Sequence, residues 1–135
     1  MNNCVRLHRS VLDRLLAEAR REPQFECCGL LAGRNGVISE LLPAENALHS
    51  ATAYEITPLE LFALFRRMRG GKLEHLGIYH SHPHTDNAPS PRDIAEACYP
   101  ETPYVIVSPR AGLEKPVRAF GISNGQVREL TLEVL

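Results

Sequence analysis

No stretch of the 135 residues approaches the roughly 20 consecutive apolar residues that a membrane span requires, although 44% of the chain is hydrophobic. The N-terminal sequence MNNCVRLHRSVLDRLL lacks the uninterrupted apolar core of a signal peptide, so the expected address is the cytoplasm. An excess of one charge sign is missing as well. Fifteen Lys and Arg against sixteen Asp and Glu leave a net charge of −1, which offers no general attraction to nucleic acid or to an anionic membrane. The Arg66, Arg67, Arg69 and Lys72 cluster lies on the polar side of an amphipathic pattern and reads as a solvated helix face. Cys4, Cys27, Cys28 and Cys98 form no C-x-x-C pair and no disulfide-framework spacing, so they are expected to be buried small hydrophobes. There is no internal repeat, low-complexity segment or linker. One core and one domain over residues 1–135 are expected.

What the chain does have is clear punctuation. CVRLH (4–8) alternates like a half-buried strand and meets Ser10, which with Asp13 has the S-x-x-D pattern of a capping box. Leu12, Leu15, Leu16 and Ala19 then repeat at helical spacing up to charged residues before Pro23, which predicts a helix over about residues 11–21. CCGLLAG (27–33) and VISELLP (37–43) flank Asn35-Gly36, the sequence of a tight hairpin turn. Thr57 and Glu60 make a second box with Pro58 at the first helical position; Leu61, Leu64, Phe65 and Met68 form an apolar face, and Gly70-Gly71 ends it. HLGIYHSH (75–82) reads as a strand, Ser90 to Ala97 as a short helix, YVIVS (104–108) as a buried strand, and VRAFGIS and VRELTLEVL as strands around Asn124-Gly125. This order predicts a sheet covered by helices in a single α/β or α+β domain.

The segment HSHPHTDNAPSPRD (80–93) concentrates three of the six histidines. In an extended strand His80 and His82 point to one side, so two imidazoles can meet on one ion. Pro83 breaks the ladder and makes His84 the weaker ligand. Ser90 and Asp93 form a third capping box, a pattern that needs no chemistry by itself. Joined to the His-x-His strand end, however, Asp93 completes a His₂-Asp set that leaves a fourth position open, as catalytic zinc sites do. His84 and Asp86 remain alternatives for that fourth position. The imidazole and carboxylate donors suit zinc and do not exclude other divalent metals.

H-x-H-x₇-S-x₂-D, filled by His80, His82, Ser90 and Asp93, together with E-x-C-G-L-L-x-G, filled by Glu26, Cys28, Gly29, Leu30, Leu31 and Gly33, resembles the signature of the JAMM (MPN-domain) metallopeptidases. The resemblance implies a cytidine-deaminase-like α/β fold, a central mixed sheet flanked by helices. It implies one zinc per chain on His80, His82 and Asp93 with water as fourth ligand, Glu26 as general base and acid, and Ser90 as oxyanion donor. The implied reaction is hydrolysis of an amide or isopeptide bond after the C-terminal Gly-Gly of a ubiquitin-like or sulfur-carrier protein. Only seven residues separate His82 from Ser90 and no long insertion occurs elsewhere, which suits a compact prokaryotic-type enzyme. An extended substrate tail is expected to add to an exposed sheet edge.

Deaminase chemistry finds no support, because H-x-E and P-C-x-x-C are both missing. H-E-x-x-H is missing too. Two other readings stand beside the peptidase: a non-catalytic MPN-type protein-binding module, and a structural zinc site closed by His84 or Asp86.

Overall fold

The computed structural model describes residues 3–135. Seven strands and three helices follow in the order β1 (Cys4–Leu7), α1 (Arg9–Arg21), β2 (Cys28–Arg34), β3 (Val37–Ala44), α2 (Pro58–Gly70), β4 (Glu74–Ser81), α3 (Pro91–Glu96), β5 (Tyr104–Val107), β6 (Val117–Ser123) and β7 (Gln126–Val134). The strands pair as a closed ring, β1-β3-β2-β4-β5-β6-β7, with β7 returning to β1. Pairing is parallel at β1–β3, β1–β7 and β4–β5 and antiparallel elsewhere, which makes the sheet mixed.

Alternation along the central strands explains why helices are needed on both faces. Leu31, Tyr79, Val105 and Val107 join one core with Val11, Leu15 and Ala19 of α1, and every strand contributes to it. Their neighbours Leu30, Ile78, Tyr104 and Ile106 join a second core with Leu64 and Met68 of α2. Strands buried on both sides read as continuous apolar runs, and CGLLAG and YVIV are such runs. At about 1.5–3 kcal/mol per fully buried large aliphatic side chain, these two layers supply the main drive to fold. Gly29 is required between them. A Cβ there would lie 2.4 Å from the Leu42 carbonyl oxygen and 2.6 Å from the Tyr79 ring.

Both Asn-Gly turns are two-residue hairpin loops with positive φ at each position, 55° and 74° at Asn35 and Gly36, and 53° and 74° at Asn124 and Gly125. Other local expectations shift. The helix expected from residue 11 begins at Arg9, and its N-cap is His8 with no side-chain cap. The His8 N–H donates to the Ile38 carbonyl and its own carbonyl accepts from Val11 and Leu12, so strand pairing runs directly into the first helical turn and leaves Ser10 inside it. At α2, Thr57 Oγ1 does accept the Glu60 N–H at 3.2 Å, but the Glu60 carboxylate accepts instead from the Glu45 N–H at 3.0 Å. That box is half formed, and its acid ties down the preceding loop.

Cys27 and Cys28 are buried as expected, whereas Cys98 is exposed in the segment after α3 and Cys4 is half-buried on β1. Arg66, Arg67, Arg69 and Lys72 are exposed, in line with a solvated face. The expected free edge is short: β3 pairs with β1 only through Val37 and Ile38, so Glu40 to Ala44 pair with β2 alone. Within that stretch Pro43 has no N–H to offer a further strand. Among the described residues, no helix is long and apolar enough to cross a membrane.

Candidate metal centre

His80 lies near the C-terminal end of β4, and the His82 N–H still donates to the Val107 carbonyl at 2.9 Å, so the parallel pairing with β5 continues one residue beyond the strand. Their equal parity brings His80 Nε2 and His82 Nε2 to 3.1 Å. Asp93 comes from the first turn of α3, where the capping box is complete: Ser90 Oγ accepts the Asp93 N–H at 3.1 Å, and Asp93 Oδ2 accepts the Ser90 N–H at 2.9 Å. That same Oδ2 lies 3.2 Å from His80 Nε2 and 3.0 Å from His82 Nε2. Three donor atoms therefore form a small triangle at the rim of the sheet. Among the described residues, His80, His82 and Asp93 are the group whose ligand atoms converge in this way.

The donor set fits a divalent cation. Ligands about 2.0–2.1 Å from a tetrahedral zinc stand about 3.3 Å from one another, close to the edges of this triangle. Tautomers point the same way at one corner: His82 Nδ1 lies 2.7 Å from the Asp86 carbonyl oxygen, so Nδ1 donates, and in the neutral form of the ring the lone pair of Nε2 faces inward. His80 is only 1% exposed, and its Nδ1 has no hydrogen-bond partner, while the Tyr54 ring stacks on the imidazole at 4.5 Å. Burial keeps His80 below the ordinary histidine range. For His82 burial acts in the same sense, but the Asp93 carboxylate and the Asp86 carbonyl outweigh it and raise the pKa. Burial also opposes ionisation of Asp93, yet hydrogen bonds from the two imidazoles hold its carboxyl well below the usual range. Asp93 is therefore ionised at neutral pH and gives the triangle a carboxylate that attracts a cation.

Glu26 immediately precedes the Cys27–Ser81 contact at the open end of β2, in which Cys27 N–H donates to Ser81 Oγ and Ser81 N–H donates to the Cys27 carbonyl. It is 4% exposed, and its Oε1 has no hydrogen-bond partner. Burial pushes its pKa up to about 7, with His82 pulling the other way and Asp93 adding to the rise. A carboxyl poised near neutrality can take and return a proton. Two cavities adjoin these groups. One, of about 320 Å³, is lined by His80 and Asp93 together with Tyr54, Ile56, Leu61 and Tyr99. The other, of about 310 Å³ and more polar, is lined by Glu26 together with Arg21, Phe25, Asn46 and His49.

His84 is exposed and outside the triangle. The Asp86 side chain turns to Arg118, 3.7 Å from Nη1, and only its backbone carbonyl serves the site. Asn87 pins the intervening loop, its side-chain amide donating to the Lys115 carbonyl at 3.0 Å. Sequence reasoning missed Asn46, Tyr54 and the Asp86 carbonyl. The only signal for the first was an asparagine in a long segment without regular structure, and no pattern marks the other two.

Residues 8–122 match the family model described as prokaryotic homologs of the JAB domain. The chain belongs to this family. Among curated JAB relatives, it is 40% identical over 128 residues to the probable TtuB-protein conjugate cleaving protease of Thermus thermophilus, covering 94% of this chain and 80% of that protein. It is 33% identical over 127 residues to the CysO-cysteine peptidase of Mycobacterium tuberculosis, covering 93% and 87%. The JAB fold also matches the solution structure of a protein from Desulfitobacterium hafniense with a TM-score of 0.83 and 32% identity, over 96% of this chain and 91% of that one.

Proposed function

We propose that this chain is a zinc-dependent metallopeptidase that hydrolyses the amide or isopeptide bond following the C-terminal Gly-Gly of a ubiquitin-like or sulfur-carrier protein. The observation that carries the reading is the convergence of His80 Nε2, His82 Nε2 and Asp93 Oδ2 within 3.2 Å, in electrostatic reach of the buried Glu26 carboxyl, whose Oε1 has no hydrogen-bond partner. The substrate class rests on the relatives, two of which are named for cleaving conjugates of TtuB and of CysO. The reading includes a single domain over residues 1–135, a cytidine-deaminase-like arrangement of sheet and helices, one zinc per chain with a water as fourth ligand, and a cytoplasmic address.

In this reading His80, His82 and Asp93 hold the metal. Zinc bound there would supply Lewis-acid polarisation and a water with a pKa of about 7. Glu26 accepts the proton of the attacking water, keeps it in a pocket where burial already favours the protonated carboxyl, and delivers it to the leaving amine. Ser90 Oγ accepts from the Asp93 N–H, so its own hydroxyl proton is left to point at the carbonyl oxygen as negative charge develops there. Asp86 holds the His82 ring through its carbonyl, and Tyr54 covers the His80 ring. Incubating the zinc-loaded chain with a Gly-Gly-linked conjugate tests the reading. Release of a carrier ending in a free Gly-Gly carboxylate, lost on chelation and in Glu26→Gln, supports it. Equal cellular function of wild type and Glu26→Gln would favour a protein-binding module instead.

A further inference from the structure

Asn46 is 92% buried in the 13-residue connection between β3 and α2 and uses its whole hydrogen-bonding capacity. Its Nδ2 donates to the Glu26 carbonyl at 3.0 Å and to the Ala53 carbonyl at 2.9 Å. Its Oδ1 accepts from the Leu48 N–H at 3.0 Å and from the Glu55 N–H at 3.2 Å. Glu26 lies outside the strand ladder of β2, and its N–H donates to the Ser50 carbonyl at 2.8 Å in the same connection. Both backbone polar groups of Glu26 are therefore held by residues 46–50. Two more of its four hydrogen bonds, to Ala53 and from Glu55, flank Tyr54, whose ring stacks on His80. One buried amide links the backbone of the carboxyl that moves protons to the residue that covers an imidazole of the triangle.

We propose that Asn46 is the positioning residue of this site, setting where the Glu26 carboxyl stands and holding Tyr54 against His80; the kinetic part of this inference rests on the peptidase reading above. A displacement of about 1 Å in a proton-transfer group costs on the order of 100-fold in rate. Asn46→Asp keeps the shape and both acceptors but removes both donors, so the bonds to Glu26 and Ala53 go while those from Leu48 and Glu55 stay. It also buries a charge. Asn46→Ser is the milder companion, which remains informative where Asn46→Asp does not fold.

Two measurements on the full chain test the proposal. In metal-free protein, NMR of His80 reports the stacked Tyr54 ring, and hydrogen exchange reports the Glu26 amide. The variants should lose the ring-current shift on His80 and exchange Glu26 at least tenfold faster, while amides in β5 keep their protection. In zinc-loaded protein with a Gly-Gly conjugate, kcat per bound zinc should fall about 100-fold in Asn46→Asp and about tenfold in Asn46→Ser, with KM within about twofold. In a Glu26→Asp background, Asn46→Asp should cost less than twofold more, because the two changes act on the same step. Unchanged His80 shifts and Glu26 exchange, or a kcat loss that is equal in both backgrounds, would overturn the proposal. A wild-type chain that cleaves no conjugate would instead defeat the peptidase reading and leave the metal-free arm standing.

Discussion

Asp93 Oδ2 accepts the Ser90 backbone N–H at 2.9 Å and lies at the corner of the triangle formed with His80 and His82. The capping box and the candidate ligand set share this atom. A feature whose ordinary role is to start a helix therefore also holds this carboxylate in place, because the cap leaves Asp93 little freedom about its side-chain torsions.

Separating the two roles is possible at Asp93. Asn in its place can still accept the Ser90 N–H, so Asp93→Asn should keep the helix and lose the metal. Zinc retained per chain, measured after dialysis against a weak chelator, should drop from about one to near zero, with little change in circular dichroism. Full retention of zinc would remove Asp93 from the ligand set.

Ser90→Ala removes both the side-chain cap and the hydroxyl proposed as oxyanion donor. The cap is worth about 1 kcal/mol of stability, and a single oxyanion donor about 100-fold or more in kcat. Zinc binding should persist. Thermal unfolding and kcat measured on the same sample check this, and an unchanged kcat would restrict Ser90 to its capping role.

Glu26 gives a pH signature with a definite sign. Its folded-state pKa is raised, from the ordinary 4.5 to about 7, chiefly by burial. A raised pKa means that the contribution to stability is fully present below about pH 4.5 and is lost as pH rises through about 7. In metal-free protein, Glu26→Gln should therefore match wild type at pH 4 and exceed it at pH 8, by up to roughly 3 kcal/mol from 1.36 kcal/mol per pKa unit. Urea unfolding at the two pH values checks it; a difference that shrinks with pH would contradict the sign. Catalysis runs the other way. Glu26→Gln should lower kcat by about 100-fold or more because the proton carrier is gone.

Removing the metal should not unfold the chain. The buried side chains of both cores are apolar and come almost wholly from the sheet, α1 and α2, while α3, which carries Asp93, contributes only the partly buried Ile94 at the edge of the second core. Chelation should abolish hydrolysis and leave the far-ultraviolet dichroism in place. Cooperative unfolding on chelation would revive the structural-zinc reading.

Much of this was legible in the chain. The His-x-His parity, the Ser90–Asp93 box and the Asn-Gly hairpins are local rules, and the structure keeps each of them. The start of α1 was misread because Ser10 has the right chemistry at the wrong place: pairing of His8 with Ile38 begins the helix earlier. The half-formed box at Thr57 failed for a similar reason, since Glu60 serves Glu45 across the connection instead. Closure of the sheet through β1 and β7 joins residues more than 120 positions apart and has no local signal. Asn46 and Tyr54 act on Glu26 and His80 only through the folded path of the β3–α2 connection, so no spacing could announce them.

The most direct measurement is mass spectrometry of a ubiquitin-like carrier joined through its terminal Gly-Gly to an amine, after incubation with chain carrying one zinc. The account predicts a carrier ending in a free Gly-Gly carboxylate and an intact leaving amine, with no product from Glu26→Gln carrying the same zinc. A panel of such conjugates left whole by zinc-loaded wild type, or cleaved equally well by Glu26→Gln, would contradict it.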